Sequence, residues 1–293
     1  MGTDVMGDRM KLYEGLNEKK LIPSLPILVR IDGKNFSTFT RGLGRPYDEG
    51  LTELMKETTR YLVEQTNACI GYTQSDEITL VLWGKTPKSE VYFNGKHSKL
   101  VSVLASMATA FFAKNQLNYL PLSHAHRLVH FDCRVWNVPS LEEAANAVLW
   151  REIDATKNSV QMLAQEHFSH KELQGKGRAA QHDLLHTKGI NWNDYPSFFK
   201  RGSYFARADL LTKYSVEDIE ELPPKHHLRR NPGLVIERRI VVELDMPPFM
   251  KVINRTGVIF FEEDPIVESN SDSAGTDREA AEPTKQEPQS VPA

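Results

Sequence analysis

The chain has 293 residues, with 36 lysine and arginine residues against 39 aspartate and glutamate residues and a formal net charge of −3. This balance excludes a globally basic nucleic-acid-binding protein, so contacts with nucleic acid have to come from local basic patches. The two cysteines, Cys69 and Cys133, each lie within an apolar run typical of a buried free thiol. No signal-like segment or apolar run of about 20 residues occurs, so we expect a cytoplasmic protein without a membrane-spanning part.

The first half of the chain alternates strand-like and helix-like segments. Short apolar runs rich in β-branched residues predict strands, and apolar residues at helical spacing predict helices. The order β-α-β-β-α-β predicts an α+β fold with a ferredoxin-like palm, an antiparallel sheet with two helices on one face, and an N-terminal helix packed on the sheet edge. The expected elements are a helix over 4–22, strands over 26–32, 69–74, 78–84 and 128–138, and helices over 48–67 and 98–119.

The second half predicts additional helical and hairpin elements. Ser140 followed three residues later by Glu143 forms a capping-box pattern at the start of a helix over 140–168. A late hairpin is expected from strands over 234–245 and 249–261, with its turn at 254–257. The last 25 or so residues have a composition typical of disorder. The expected parts are an N-terminal helix (1–25), a palm-like core (26–139), a helical and hairpin part (140–268) and a disordered tail (269–293).

Carboxylates follow two of the predicted strands. Asp32 and Gly33 end the first strand, and Ser75, Asp76 and Glu77 form the turn of the hairpin that follows. If the two strands pair, these carboxylates meet at one edge of the sheet, where they fit two magnesium ions that align a phosphoryl transfer. Asp32, Asp76 and the Gly33 carbonyl are the expected metal ligands. Glu77 is a secondary candidate, because a regular strand points it to the opposite face from Asp76. The pattern fits a polymerase palm and a nucleotidyl cyclase equally.

A triphosphate also needs hydrogen-bond donors. The backbone N–H groups of Lys34, Asn35 and Phe36, directly after the first aspartate, are suited to cradle phosphate oxygens. Arg45, Lys96 and Lys99 lie near the starts of the two palm helices, where phosphate binding is physically easy.

The residues around these carboxylates resemble the tRNA-His guanylyltransferase family, closest to its "like protein" branch of 3′–5′ tRNA-repair polymerases. The paired motifs R-I-D-G and Q-S-D-E carry most of the likeness, which extends over roughly residues 5–205. The matching segments are Arg30–Phe36, Tyr72–Glu77, Ser98–Lys99, Phe131–Arg134, Trp150–Arg151 and Lys200–Gly202.

The resemblance implies template-dependent addition of nucleotides to the 5′ end of tRNA, with two Mg²⁺ ions, after ATP or GTP activates a 5′-monophosphate. It implies metal binding by Asp32, Gly33 and Asp76. It also implies that this chain forms a homotetramer, as family members do. The implied nucleotide-binding residues are Asp32, Gly33, Lys34, Asn35, Phe36, Ser37, Arg45, Ser75, Asp76, Lys96 and Lys99.

One stretch departs from the family members that add a non-templated guanosine. Those members carry His-Ile-Asn-Asn on the third helix, where this chain has Thr156 and Ser159 at the first and last positions and keeps Asn158. The departure favours templated addition over strict specificity for tRNA-His.

Two rival functions remain open from the residues. A nucleotidyl cyclase or signalling synthase on the same palm needs no tRNA, and a non-enzymatic RNA-binding module needs no carboxylates. Basic and aromatic residues interleave over 171–201, which favours RNA ends and loops over the cyclase, and the intact Asp32 and Asp76 favour an enzyme. The candidate tRNA contacts are Asn158, Lys188, Lys200 and Arg201.

Overall fold

A computed structural model describes residues 5–16, 18–84, 90–213, 215–226, 229, 231 and 235–268. Among these residues, no helix combines the length and the apolar character that crossing a bilayer requires. The predicted disordered tail, 269–293, lies outside the described residues.

The described helices and strands follow the predicted order closely in the palm. The strands are β1 (Ile27–Gly33), β2 (Ile70–Gln74), β3 (Glu77–Leu82), β4 (Phe131–Asn137), β5 (Ser203–Lys213) and β6 (Val235–Leu244). The helices are α1 (Val5–Gly15), α2 (Phe36–Phe39), α3 (Glu49–Thr66), α4 (His97–Tyr119), α5 (Leu141–His167), α6 (His170–Leu173), α7 (Arg178–Thr187), α8 (Ser197–Arg201), α9 (Val216–Glu221) and α10 (Arg255–Phe261).

The strands form one antiparallel sheet with the order β4-β1-β3-β2-β5-β6. Its first four strands, with α3 and α4, make the predicted β-α-β-β-α-β palm. Strand β1 lies in the middle of this palm, where Asp32 is paired with Glu77 on one side and with Asp132 on the other. The ladder thus fixes which side chains surround the first aspartate.

Alternation along β1 divides the core between two layers. Ile27, Val29 and Ile31 pack in the core that α3 and α4 cover, as predicted for the palm. Leu28 packs on the opposite face, in a core that includes residues of α5 and α10. Because successive strand side chains point to opposite faces, Arg30 and Asp32 share the face of Leu28. The carboxylate therefore faces the α5 side of the sheet.

The late hairpin is built from different segments than predicted. Strand β6 lies within the expected 234–245, but its partner is β5, with Tyr204 opposite Leu244. The expected second strand, 249–261, instead contains α10, and Asn254 precedes a helix rather than forming a turn. The apolar run Val258–Phe260 looks like a strand in sequence but forms a turn of a short helix that is buried near α5.

The N-terminal helix also differs from expectation. Helix α1 ends at Gly15 and buries none of its residues, because its apolar side chains are spread around the helix and form no single stripe. Met10 and Tyr13 are 47% and 56% exposed. After the helix the chain reaches the sheet edge, where the N–H of Ile22 donates to Asn137 Oδ1 at 2.8 Å.

Candidate active site

The structure brings the two predicted carboxylates to one place. The tip of β1 meets the β2–β3 turn, where the Gly33 N–H donates to the Asp76 carbonyl at 3.1 Å. Asp32 and Asp76 both line a cavity of about 390 Å³, together with Ser75, Glu77, Arg151, Asn158, Gln161 and Gln165. Ser75 adopts a left-handed backbone conformation (φ 54°) that makes this turn tight enough to keep Asp76 beside Asp32.

Negative charge is concentrated and poorly compensated in this cavity. Burial, followed by the nearby charge of Asp32, raises the pKa of Asp76 to about 6. Among the described residues, no group of three or more His, Cys, Asp and Glu side chains is arranged to hold a metal ion. Two carboxylates and a backbone carbonyl are a hard-oxygen set that fits a divalent cation which keeps water and substrate phosphates in its shell.

Glu77 does not point to the opposite face as predicted: it lines the same cavity as Asp32 and Asp76, where an ion pair engages its carboxylate. Arg151 of α5 donates from Nε to Glu77 Oε1 at 2.5 Å and from Nη2 to Oε2 at 2.7 Å, and it also donates to Asp154 at 3.0 Å. Burial raises the pKa of Glu77, and the Arg151 contact opposes that rise. Both oxygens of Glu77 are occupied, so the structure separates it from Asp32 and Asp76 in role.

A second cavity adjoins the first. It has a volume of about 430 Å³ and shares Gln74, Ser75, Asp76, Met162 and Gln165 with the carboxylate cavity. Its other walls are mainly apolar and aromatic. They include the predicted nucleotide-binding residues Phe36, Ser37 and Arg45, with Tyr47, Leu51, Met55, Phe198 and Phe199. A polar, anionic cavity beside an apolar one has the size and character of a site for a nucleoside phosphate.

The turn between β1 and α2 fits its glycine closely. A Cβ atom at Gly33 would lie 2.1 Å from the Phe36 ring, which packs against Phe39, Phe112 and Phe131. The Lys34 N–H donates to the His130 carbonyl at 2.8 Å, so it is already engaged. Of the three N–H groups predicted to bind phosphate, the candidates are therefore those of Asn35 and Phe36, at the start of the short α2 helix.

In a single copy of the protein, two of the predicted nucleotide-binding lysines lie far in space from the carboxylates. Lys96 precedes α4 and pairs with Glu18 at 3.0 Å, while Lys99 is in the first turn of α4 beside Phe93. Both are near the end of the sheet where β1 begins, whereas Asp32 is at the other end of β1. At about 3.3 Å per residue, that strand separates them from Asp32 by on the order of 15–20 Å.

The predicted tRNA contacts fall into two groups. Asn158 lines the carboxylate cavity. The other three lie in the region around α7 and α8, where Lys188 Nζ donates to the His167 carbonyl and Lys200 Nζ to the Asn193 carbonyl, and where Arg201 lines a separate cavity beside Glu152. Several aromatic residues of 171–201 pack in a small core around Leu163, Ala164, Leu185 and Phe199.

Residues 156–159 are the stretch that departs from the family pattern. Part of this stretch lies at the carboxylate cavity and part is buried in the core. Ser159 is fully buried, accepts from Trp192 Nε1 at 3.1 Å, and has the Thr156 and Lys200 carbonyls within reach of its hydroxyl at 3.0 and 3.3 Å. It joins α8 and the Trp192 turn to α5. Only Asn158 of this stretch faces the carboxylates.

Sequence reasoning missed the polar stripe of α5 that closes the cavity. Arg151, Asp154, Asn158, Gln161 and Gln165 recur at intervals of three or four residues, so they share one face of the helix. Four of them line the carboxylate cavity, and Asp154 binds Arg151. The repeat of polar residues at helical spacing could have indicated that this face of α5 lines a polar site.

The chain is similar to known proteins in sequence and in fold. The family model described as tRNAHis guanylyltransferase matches residues 7–139. The tRNA(His) guanylyltransferase of Schizosaccharomyces pombe is 29% identical over 223 residues, which cover 71% of this chain and 83% of that protein.

Two solved structures extend the likeness. A bacterial tRNA(His) guanylyltransferase-like protein in complex with ATP is 40% identical, with a TM-score of 0.65 over 69% of this chain and 88% of that chain. A bacterial protein of the same description in complex with GTP is 32% identical, with a TM-score of 0.63 over 85% of this chain and 95% of that chain. With two carboxylates at the strand tips of the same palm, this chain belongs to the tRNA(His) guanylyltransferase family.

Proposed function

We propose that this protein is a template-dependent 3′–5′ nucleotidyltransferase that adds nucleotides to the 5′ end of tRNA. The observation that carries the proposal is the meeting of Asp32 and Asp76 in a cavity that opens into a nucleoside-sized apolar cavity. The named relatives act on tRNA(His), and the neighbouring solved structures hold ATP and GTP. These properties support a nucleotide site and a tRNA substrate here.

The reaction has two stages. A 5′-monophosphate oxygen of the tRNA attacks the α-phosphorus of ATP or GTP, and pyrophosphate leaves. The 3′-hydroxyl of an incoming nucleoside triphosphate then attacks the activated 5′-phosphorus, and the nucleoside monophosphate leaves. A tRNA that already carries a 5′-triphosphate enters at the second stage, with pyrophosphate as its leaving group.

Different residues bind the metal ions, the nucleoside and the phosphates. Asp32, Asp76 and the Gly33 carbonyl would hold two Mg²⁺ ions, which neutralise phosphate charge and align the attacking and leaving oxygens. The apolar cavity holds the nucleoside between Phe36, Tyr47 and Phe198, with Arg45 at its wall. Asn35 and Phe36 offer N–H groups to phosphate oxygens. Glu77 acts through Arg151 by keeping α5 in place over the cavity.

The remaining parts of the proposal concern specificity and assembly. Because Thr156 and Ser159 replace the histidine and asparagine of the non-templated enzymes, the nucleotide added is selected by pairing with the tRNA strand opposite. Lys188, Lys200 and Arg201 lie on one side of α5 and are candidate phosphate contacts. The enzyme is proposed to work as a homotetramer in the cytoplasm. A cyclase on the same palm is disfavoured by the family likeness, which names tRNA enzymes.

The test is nucleotide incorporation into 5′-labelled tRNA with Mg²⁺ and nucleoside triphosphates. The substrates are tRNA-His with A73, tRNA-His with C73 and a tRNA lacking its first nucleotide, each with wild type and Asp76→Asn. We expect extension of the truncated tRNA by the wild type and loss of at least about 100-fold in the variant, as for removal of a group that stabilises transition-state charge. Addition opposite A73 would contradict templated selection. No extension of any substrate by the wild type would contradict the proposed function.

A further inference from the structure

Trp150 is an aromatic residue that does not pack in any of the hydrophobic cores of the described residues. It lies in α5 with 51% of its surface exposed. The residues that α5 buries, such as Val148, Glu152 and Ala155, lie on other sides of the helix. The ring lies on a rigid helix next to Arg151, which lines the carboxylate cavity, so a flat group of a ligand bound at the active site can cover it.

Two arginines fix the position of this ring. The Arg151 guanidinium lies 4.5 Å from the ring centroid of Trp150, and that of Arg30 lies 5.8 Å from it. Arg151 is itself held by Glu77 and Asp154. Cation–π contacts of this kind hold an exposed ring in one orientation. The ring is therefore pre-organised, which lowers the entropy lost when a flat group binds to it.

Two arginines on neighbouring strands share the Trp150 side of the sheet with Asp32. Arg30 lies two residues before Asp32 on the same face of β1, and its register partner on β4 is Arg134. Arg134 is 58% exposed, and its nearest acidic partner is Asp132 at 3.8 Å. The Nε atom of Arg30 is buried and has no hydrogen-bond partner among the described residues. Phosphate groups are attracted to such a surface.

Trp150 and the nucleoside cavity are separate surfaces beside the carboxylates. The cavity is lined mainly from α2 and the loop after it, α3, β2 and α8, and Trp150 is not among its lining residues. Arg30, which contacts the Trp150 ring, and its register partner Arg134 belong to β1 and β4. Joining two substrates requires a binding surface on each side of the reacting atoms. The nucleotide occupies the cavity, so the second substrate approaches from the side of Trp150.

We propose that Trp150 stacks on an unpaired base at the acceptor end of the RNA substrate, while Arg134 attracts the adjoining backbone phosphate. The proposal rests on the proposed function, which makes tRNA the second substrate. Unpaired bases at RNA ends are recognised mainly by stacking on aromatic side chains and by nearby cations. Trp150 with Arg134 supplies both at one place.

The test compares the affinity of two RNAs for wild type, Trp150→Leu and Trp150→Phe. One RNA is an acceptor-stem duplex with an unpaired 3′ end, and the other is the same duplex with a blunt end, each bound without nucleotide. We expect Trp150→Leu to weaken binding of the RNA with the unpaired end by about 5- to 150-fold, the range for loss of one stacking contact. Trp150→Phe keeps a ring and should retain most of the affinity. Binding of the blunt duplex should hardly change.

The control is Phe261→Leu, because Phe261 is 53% exposed and lies on α10, away from the carboxylates. It should bind both RNAs as the wild type does. Unchanged affinity in Trp150→Leu, or an equal loss for both RNAs, overturns the proposal. A change of oligomeric mass in Trp150→Leu, measured by light scattering, also overturns it and assigns the ring to contact with a second copy of the chain. These outcomes are independent of nucleotide incorporation by the wild type, which tests the proposed function.

Discussion

Arg151 and Glu77 face each other across the α5–sheet interface with two parallel hydrogen bonds of 2.5 and 2.7 Å. The side chains are 13% and 15% exposed, so most of the pair is shielded from water. A two-pronged arginine–carboxylate contact is rigid as well as strong. It connects β3, directly after Asp76, to the helix that covers the carboxylate cavity. The pair therefore sets the distance between α5 and the sheet at the active site.

Breaking this pair from either side should be costly. Glu77→Gln leaves the Arg151 charge partly buried, and Arg151→Met leaves Glu77 unpaired, so each should lower the free energy of unfolding by about 3 kcal/mol, the low end for a broken buried pair. The double variant Glu77→Gln with Arg151→Met should lose less than the sum of the two. Urea unfolding of all four proteins gives this coupling energy. Additive losses would show that the two residues do not act as a pair.

Without metal, Asp76 should make the protein less stable as the pH rises. Its folded-state pKa of about 6 lies above the ordinary value of 3.8, so the folded state keeps this proton longer than the unfolded state does. The stability contributed by the protonated form is present at low pH and is lost as the pH rises from about 4 through about 6.

Thermal unfolding in EDTA measures this effect. Asp76→Asn should gain stability relative to wild type between pH 5 and pH 7, by a few degrees in Tm, and Mg²⁺ should stabilise the wild type more than the variant. The matched control is Asp132→Asn, whose carboxylate adjoins Asp32 but is 53% exposed. An equal pH profile for wild type and Asp76→Asn in EDTA would contradict the prediction.

Gly33→Ala should disturb the aromatic cluster beneath the nucleotide site. The added Cβ meets the Phe36 ring at 2.1 Å, and overpacking of this kind typically costs about 1–3 kcal/mol. Gly177→Ala is the control, since a Cβ there meets nothing within 4 Å. Urea unfolding should show the loss in Gly33→Ala alone, and adding Phe36→Leu should recover part of it. If Gly33→Ala is as stable as the control, the ring moves freely and the turn is not constrained by packing.

Ser159 should be needed for the packing of α5 against α8 and the Trp192 turn. Ser159→Ala leaves the Trp192 N–H without its acceptor, which costs about 1–3 kcal/mol if that group stays buried. Ser159→Asn adds atoms to a fully buried position and should be at least as destabilising. Thr156→His is at a partly exposed position and should be tolerated. Circular-dichroism melting of the three variants checks this order, and a stable Ser159→Asn would contradict it.

The palm and its carboxylates were predictable because their signals are local. Apolar runs that end in Asp32 and flank Ser75–Glu77 specify strands and a tight turn, and pairing of those strands brings Asp32 beside the turn. Helical spacing marked α3, α4 and α5 within one or two residues of their observed ends. The prediction of the late hairpin was wrong because Val258–Phe260 has an apolar pattern that suits a short strand and a buried helix face equally.

The sequence by itself determined the palm order, the two carboxylates at the strand tips and the resemblance to a tRNA enzyme family, because strand alternation, helix period and turn residues act over a few neighbouring positions. Only the tertiary structure decided that Glu77 is bound to Arg151, that Lys96 and Lys99 lie at the other end of β1, that Ser159 is buried and that Trp150 is exposed. Each of these depends on how segments tens of residues apart pack against each other. Such packing is set by the shape of the whole core and has no signature in any single stretch of sequence.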